Sequence, residues 1–390
     1  MKFREVTIEK VVSKCITWNP IRNGDDTFAY IDLSSVDNDY KSIFSVERYL
    51  CIDAPSRARQ IVKAGDVLVA TVRPNLNCVA LVGYQHDGMT ASTGFCVLRP
   101  KRELLNSEFL FHWVKTKVFV QRMVDLATGA NYPAVSDTKV KSSTIPLPPL
   151  PEQKRIASIL DAVDAIRTKR RESLAQLDAL LQSTFFDMFG DPISNPRKWK
   201  TCFLEEVVHK ITDGTHKTPK YTESGIEFLS AKDLKDGEIK WNSGKFISLK
   251  EHELLVKRCN PELGDILLAK SGSLGSVAII NKNHAVSLFE SLCLIKHDRE
   301  KIEALFLTSM IRNPRMQTHL IGKNKGIAIK HLHLVDIRKL KILSPPLDLQ
   351  TRFATIVEAV EKQKDRLRAH LAELDTLFAS LQHRAFNGEL

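Results

Sequence analysis

The sequence predicts a mixed α/β (α+β) protein in which two globular domains alternate with two long antiparallel helices. Three observations favour this fold: the length, the helical spacing of apolar residues in two segments, and an internal repeat. The 390 residues, 43% of them hydrophobic and 26% charged, match a folded chain too long for one ordinary domain. We therefore expect globular domains at 1–145 and 191–343, and helical segments at 146–190 and 344–390.

The first long helix is predicted from Glu152 to about Asp187, a stretch that contains neither glycine nor proline. Its apolar residues recur at spacings of three and four, the pattern of an amphipathic helix. Pro151 suits the first helical turn, and Gly190 followed by Pro192 is typical of a C-terminal stop. The apolar positions are Ile156, Ile159, Leu160, Val163, Ile166, Leu174, Leu177, Leu180 and Leu181.

The second long helix repeats the first at a constant offset of 197 residues. The matching residues at the helix starts are Pro148, Pro149, Leu150, Gln153 and Arg155 with Pro345, Pro346, Leu347, Gln350 and Arg352. A coiled-coil seam is formed at strict seven-residue spacing by Phe353, Val360, Leu367, Leu374 and Leu381. Because two apolar seams cannot stay in water, we expect the helices to pack antiparallel about a pseudo-twofold axis.

The predicted pair of helices is longer than one turn of a DNA duplex. A helix of about 36 residues is roughly 54 Å long, whereas one turn of B-DNA spans roughly 34–36 Å. Antiparallel packing is expected to hold the globular domains at opposite ends, a turn of DNA or more apart. The basic run Arg167–Arg171 interrupts the first seam. With Asp164 and Glu172 nearby, we interpret it as a solvated or partner-contacting face rather than a phosphate site.

The globular segments carry weaker marks of the repeat and most of the positive charge. Gly65–Ala70 resembles Gly264–Ala269 at an offset of 199, and each reads as a strand that enters a turn. The net charge is +4 in 1–145 and +8 in 191–343, against 0 and −1 in the helical segments. With +11 for the whole chain, this distribution suggests a polyanionic partner.

The helical segments resemble the conserved regions of the specificity subunit of Type I restriction-modification systems, the HsdS family. The resemblance lies in Leu147–Ile156, in the leucine pattern from Leu174 to Ser183, and in their copies in the segment 344–390. Asp213–His216, Thr218–Pro219 and the strand at Gly264 are similar to the target recognition domains of that family. Two departures predict local differences between the halves. Asp348 and Leu349 replace Pro151 and Glu152, and the first domain lacks the Gly-Thr-His motif.

The resemblance implies that each globular domain is a target recognition domain that reads one half of a bipartite site in double-stranded DNA, while the rod sets the gap. It implies a non-catalytic chain that recruits two modification subunits, which methylate adenine N6, and two ATP-dependent restriction subunits. No cofactor is then expected in this chain, since S-adenosylmethionine, ATP and magnesium belong to the partner subunits.

Candidate DNA contacts lie on loops, because a scaffold holds loops in place and phosphates need basic, hydroxyl or amide donors. One set follows the matching strands and the Gly-Thr turn: Arg73, Asn75, His216, Lys217, Lys270, Ser271 and Ser273. A second set lies on two matching later loops: Asn131, Tyr132, Lys323, Lys325 and Lys330. Asparagine and tyrosine offer base-edge and stacking contacts, and the lysines offer phosphate neutralisation. Each residue is equally explained as part of an ordinary polar surface loop.

Signatures of catalysis, metal binding and membrane insertion are missing from the sequence. It lacks the Asp/Asn-Pro-Pro-Tyr/Phe motif of amino-methyl transfer, the phosphate-loop pattern and His-Glu-x-x-His. Its seven scattered cysteines form no Cys-x-x-Cys pair, so we expect reduced thiols and no metal. No apolar run is long enough for a membrane span, and we expect a cytoplasmic protein with no membrane partner.

Two other classes of protein stay open at this point. One is a stand-alone DNA-processing enzyme with a divergent catalytic core, which would methylate or cleave DNA by itself. The other is a coiled-coil scaffold whose basic domains bind proteins or RNA, which would show no sequence discrimination on duplex DNA. Salt-dependent affinity alone does not separate the three, because any basic protein shows it.

Overall fold

The computed structural model describes residues 3–129, 131–322 and 331–390. The chain forms two compact units, and each unit combines one globular segment with parts of both long helices. The first unit is Met1–Glu172 with Arg368–Leu390, and the second unit is Ser173–Leu367. The mixed fold and the two long helices are confirmed, while the predicted segment boundaries stay predictions.

The first unit contains short strands and helices followed by one long helix. The strands are β1 (Glu5–Thr7), β2 (Val12–Ser13), β3 (Ile16–Thr17), β4 (Thr27–Ile31), β5 (Val36–Asp37), β6 (Ser42–Ile43), β7 (Glu47–Leu50), β8 (Ala58–Ile61), β9 (Val67–Ala70), β10 (Val79–Leu81), β11 (Thr90–Ser92), β12 (Phe95–Pro100) and β13 (Thr144–Pro146). The helices are α1 (Ile8–Val11), α2 (Ser107–Val114), α3 (Lys117–Leu126), α4 (Asp137–Ser142) and α5 (Leu150–Phe189), of which α5 continues into the second unit.

The second unit repeats this order. Its strands are β14 (Thr201–Phe203), β15 (Val208–Asp213), β16 (Tyr221–Thr222), β17 (Ile226–Leu229), β18 (Leu234–Lys235), β19 (Glu238–Ile239), β20 (Phe246–Ile247), β21 (Ile266–Ala269), β22 (Val277–Ile279), β23 (Val286–Leu288), β24 (Leu292–His297) and β25 (Lys341–Leu343). Its helices are α6 (Leu249–Leu255), α7 (Ala304–Arg312), α8 (Pro314–Gly322), α9 (Leu334–Arg338) and α10 (Leu347–Asn387), of which α10 continues into the first unit.

The two units share the strand order of their main antiparallel sheet. The first has an antiparallel sheet in the order β10-β9-β12-β2, and the second has β22-β21-β24-β15 in the matching order. In each unit a second sheet contains one parallel pair, β4 with β11 and β17 with β23. The first strand of each globular segment also pairs with the strand before the long helix, β1 with β13 and β14 with β25. The sequence repeat is therefore a repeat of the fold.

The central strands β9 and β21 are buried on both faces, which explains their unbroken apolar sequences. In β9, Val67 and Val69 pack with Phe109 of α2, whereas Leu68 and Ala70 face a second apolar cluster. The strand β21 divides its residues between two clusters in the same alternating way. Each sheet is thus the middle layer of its unit, and the turns that follow β9 and β21 start from a rigid base.

The long helices pack antiparallel within each unit. In the first unit, the Nη2 atom of Arg155 donates to the carbonyl oxygen of Leu390 at 2.9 Å, and Arg167 bonds to Asp375. As residue numbers rise along α5, those of the partners on α10 fall. In the second unit, the rings of Phe185 and Phe353 lie 5.6 Å apart. The helix α5 begins two residues before the predicted Glu152 and ends at Phe189, before the predicted stop at Gly190.

At repeat-equivalent positions, a cation that is half-buried in one unit and buried in the other bridges the helices. Arg167 binds Asp164 on its own helix and Asp375 on α10, each at 2.6 Å. At an offset of 197, Lys364 binds Glu361 on its own helix and Asp178 on α5, each at 2.7 Å. Only 15% of the Arg167 side chain and 3% of the Lys364 side chain are exposed. The basic run was expected to form a solvated or partner-contacting face. The solvated alternative is wrong for Arg167, whose guanidinium binds Asp375 in the helix interface.

The repeated glutamines join each long helix to its globular segment. The Oε1 atom of Gln153 accepts from the backbone N–H of Asn106 at 2.9 Å, and Gln350 accepts from that of Glu303 at 3.0 Å. Their Nε2 atoms donate to backbone carbonyls, among them those of Pro148 and Pro345. Asn106 and Glu303 in turn cap α2 and α7. The Pro-Pro-Leu-x-x-Gln repeat is thus a structural joint.

We predict that Gln350→Ala destabilises the second unit by about 2–3 kcal/mol, because it leaves a partly buried N–H and a buried carbonyl without their partner. Urea denaturation followed by circular dichroism measures this free energy of unfolding. The control Gln363→Ala changes an exposed glutamine of the same helix, and we expect less than about 0.5 kcal/mol. Equal midpoints for the two variants would contradict the role assigned to Gln350.

Candidate nucleic-acid interface

In the first unit, the loop after β9 is held by two backbone hydrogen bonds. The N–H of Thr71 donates to the carbonyl of Gly94 at 2.9 Å, and the N–H of Val135 donates to the carbonyl of Thr71 at 2.8 Å. The first bond ties the loop to the β11–β12 turn, and the second ties it to the segment before α4. The residues beyond Thr71 are therefore presented from a fixed point at the edge of the sheet.

The structure brings Arg73 and Tyr132 together on this edge. The backbone N–H of Arg73 donates to the carbonyl of Pro133 at 2.7 Å, and its guanidinium lies 5.0 Å from the centroid of the Tyr132 ring. Tyr132 is 69% exposed, and Asn75 and Asn131 on the same two loops are exposed as well. The four predicted residues of this unit, Arg73, Asn75, Asn131 and Tyr132, are called the first-unit patch below.

The second unit holds its corresponding loop in the same way. After β21, the N–H of Lys270 donates to the carbonyl of Ser291, and the N–H of Leu332 donates to the carbonyl of Lys270, both at 2.8 Å. Leu332 corresponds to Val135, and Ser291 corresponds to Gly94, at the helix offset of 197. The two loops are thus repeat-equivalent in hydrogen bonding although their side chains differ.

Lys270 lies inside the unit, where it neutralises a buried carboxylate. Its side chain is 3% exposed, and its Nζ atom lies 2.5 Å from Oδ2 of Asp213. Arg258 and His216 also contact this carboxylate, and Nδ1 of His216 lies 2.7 Å from Oε2 of Glu290. We call Asp213, His216, Arg258, Lys270 and Glu290 the second-unit cluster.

Charge holds the second-unit cluster together. Burial alone raises the pKa of the Asp213 carboxyl, but Lys270, Arg258 and His216 outweigh it and keep that pKa below its usual value. Asp213 is therefore ionised at neutral pH and anchors two exposed side chains, since the side chains of His216 and Arg258 are 55% and 56% exposed.

Gly214 explains why this motif contains glycine. A Cβ atom at residue 214 would lie 2.0 Å from the carbonyl oxygen of Leu288, so any larger residue would push the loop off β23. Thr215 then turns the chain, because its Oγ1 accepts from the N–H of Lys217 at 3.2 Å. The close approach and the turn leave His216 and Lys217 at the surface.

The remaining predicted residues fall in different environments. Ser271 is half-buried, and the Oγ atom of Ser273 donates to the carbonyl of Ala231 at 2.5 Å. Lys323, Lys325 and Lys330 lie outside the described residues. All these DNA contacts, including that of Lys270, stay predictions.

Arg258 was missed by the sequence reasoning because it lies 45 residues from Asp213 on another element. One signal in the sequence could have pointed to Arg258. Asp213 ends a strand, and a carboxylate buried there requires cationic partners.

Within residues 3–129, 131–322 and 331–390, no group of three or more histidine, cysteine and acidic side chains is arranged to hold a metal ion. The described cysteines are unpaired, and burial raises the pKa of the Cys259 thiol to about 11. Among the described helices, none combines the length and the apolar character needed to cross a bilayer.

The comparisons with known proteins all find specificity proteins of Type I restriction systems. The sequence profile described as "Type I restriction modification DNA specificity domain" matches residues 55–178 and 196–375. The EcoKI specificity subunit of Escherichia coli K12 is 26% identical over 360 residues, which are 85% of this chain and 76% of that protein. The EcoBI specificity subunit of Escherichia coli is 24% identical over 328 residues, 76% of this chain and 68% of its own length.

Solved structures show the same fold. One chain comes from a structure that concerns complex assembly and conformational transition of the type I R-M system. It is 27% identical with a TM-score of 0.58, and the match covers 100% of this chain and 98% of that one. The type I restriction-modification S subunit from M. genitalium is 16% identical with a TM-score of 0.55, over 99% and 96% of the two chains. The second likeness bears on the fold alone.

We predict that acid destabilises the protein less after Asp213→Asn. The lowered pKa means that ionised Asp213 stabilises the fold above its unfolded pKa of about 4, and that this contribution is lost as the pH falls through the lower folded value. Urea midpoints measured between pH 6 and pH 3 should therefore fall less steeply for the variant than for the wild type. Asp187→Asn, an exposed carboxylate, should follow the wild type. A variant slope as steep as that of the wild type would contradict the assignment.

Proposed function

Because the chain belongs to the family of Type I restriction-modification DNA specificity proteins, whose profile covers 55–178 and 196–375, we propose how its two units divide the reading of DNA. The chain is a specificity subunit that recognises DNA, and the catalytic activity of the enzyme complex lies in other subunits. Our proposal is that each unit reads one half of a bipartite site. The first uses the first-unit patch, and the second uses the exposed side chains of the second-unit cluster together with Lys217.

One observation carries this proposal: two units with different surface side chains hold the loop after the central strand with the same two backbone hydrogen bonds. A shared backbone frame with divergent side chains suits two readers of different sequences, because phosphate contacts set register and base-edge contacts choose sequence. In the first unit, Arg73 beside Tyr132 offers a guanidinium fork and an aromatic face. In the second unit, Asp213 orients His216 and Arg258, and Lys270 holds Asp213 from within.

The partner subunits supply the chemistry in this proposal. Two modification subunits with S-adenosylmethionine and two restriction subunits with ATP and magnesium would join one specificity chain, in the cytoplasm. The names of the related subunits and the structure on complex assembly support partnering in general. The alternatives of a lone DNA-processing enzyme or an RNA- or protein-binding scaffold are disfavoured by the family match.

We predict that Arg73→Ala weakens binding to the cognate duplex by about 1–3 kcal/mol, since it removes a guanidinium from the proposed reading surface. Tyr132→Ala should also weaken binding. In both variants, base substitutions in the half-site read by the first unit should lower the affinity less than they do for the wild type. Fluorescence anisotropy of the complex with modification subunits, on a duplex selected from a random library, measures the affinity. The control Arg22→Ala removes an exposed arginine of the same unit. Equal losses for Arg22 and Arg73, with half-site preference unchanged, would contradict the proposal.

We predict that one heptad removed from each long helix shortens the gap between the half-sites. Deleting 169–175 from α5 and 367–373 from α10 keeps the bridges of Arg167 and Lys364 and preserves the seven-residue period. Seven helical residues span about 10 Å, or roughly three base pairs. Selection from a library with variable gaps should return both half-sites unchanged with a shorter gap. An unchanged gap would contradict the proposal that the length of the helices sets the distance between the half-sites.

A further inference from the structure

A groove of about 390 Å³ opens on the first unit where α10 ends. Its walls come from the first strand, the turn between α2 and α3, and the last turns of α10. The lining includes Phe3, Trp113, Val118, Ala379, Gln382 and Phe386. The side chain of Val118 is 61% exposed in it, although the residue is aliphatic. The groove, which the described part of the chain leaves open, combines these side chains with polar ones, among them Glu5 and Lys117.

In the second unit, the chain itself covers the equivalent surface. After α5 ends, residues 190–199 fold back over the helix end. Asp191 is buried, and its carboxylate accepts from the N–H groups of Ile193 and Ser194 at 2.8 and 3.2 Å and pairs with Arg315. At the end of the segment, Nε1 of Trp199 donates to the carbonyl of Phe189 at 2.9 Å.

The repeat identifies the two places residue by residue. Phe386 and Asn387, which line the groove, correspond at an offset of 197 to Phe189 and Gly190, which the segment contacts. Val118 corresponds likewise to Arg315, the partner of Asp191.

The remaining edge of the groove matches as well. The N–H of Leu147 donates to Arg4 at 2.9 Å, and the N–H of Ser344 donates to Lys200 at 2.7 Å. These equivalent bonds place Phe3 at the position of Trp199. The groove is therefore the open counterpart of the surface that residues 191–198 cover.

An unpaired hydrogen-bond donor in the wall of the groove indicates that a ligand binds there. Trp113 lines the groove and is 8% exposed, and its indole N–H has no acceptor among the described residues. Buried donors in folded proteins are normally paired, because an unpaired donor has lost its hydrogen bond to water without gaining another. A backbone carbonyl brought into the groove is the chemistry that would satisfy it after a small adjustment of the wall.

We propose that this groove is a docking site for a short proline-containing segment of a partner protein, bound in trans as residues 191–198 are bound in cis. The covered surface of the second unit carries the argument, because it shows what a chain with Asp191, Pro192 and Pro196 does on the same scaffold. Phe3 already fills the place of Trp199, so the partner segment needs no tryptophan. The inference does not depend on the DNA-reading role of either unit.

The probe is a fluorescent peptide with the sequence of residues 190–198, added to the full-length chain and followed by anisotropy. We expect one saturable site per chain, since the second unit covers its own surface. Ala379→Trp fills the groove from an exposed helix position and should weaken binding at least about tenfold. Ala372→Trp places the same side chain at another exposed position of α10 and should leave binding unchanged.

A gain of affinity makes the test sharper. Val118→Arg restores the basic partner that Asp191 has in the second unit and should tighten binding roughly tenfold. The gain should vanish when the aspartate of the peptide is replaced by asparagine.

Three outcomes would overturn the proposal. The first is no saturable binding of the peptide to the wild type or to Val118→Arg, and the second is equal binding to Ala379→Trp and the wild type. The third is a dimer of the chain that Ala379→Trp abolishes. The last would make a second copy the occupant.

Discussion

Each globular core of this protein is completed by both long helices, and the rest of the structure depends on that constraint. In the first unit, Phe109 of α2 lies 5.0 Å from Phe386 of α10, and Ile156 of α5 joins the same cluster. In the second unit, Phe306 of α7 lies 4.7 Å from Phe189 of α5, and Phe353 of α10 joins it. Because each helix contributes to two cores, neither half of the chain can bury its apolar surface alone.

The bridging cations add specificity to this packing. Apolar seams tolerate sliding by whole heptads, whereas Arg167 and Lys364 each require a carboxylate of the other helix at one position. A slipped register would leave both cations buried without an interhelical partner. The interface therefore combines an apolar surface that drives association with two charged positions that select one alignment of the helices.

The sequence predicts the local features well and the long-range partners poorly. Apolar spacing identified α5 and α10, and the offset of 197 identified the repeat, because both signals lie within short stretches of chain. The places of Arg167 and Lys270 were not predictable in this way, since a basic residue is normally exposed and the acidic partner of each lies far along the chain. Arg73 and Tyr132 were predicted separately, and only the fold shows that they touch.

The central claim is that two units on one scaffold read two half-sites, and a base-resolution map of N6-methyladenine in the source genome tests it most directly. The map is compared between cells with the gene intact, deleted, and carrying Arg73→Ala. The account predicts one split motif that disappears on deletion, and relaxed sequence preference in one half only for the variant. A methylation pattern independent of the gene, or a variant that alters both halves equally, would contradict it.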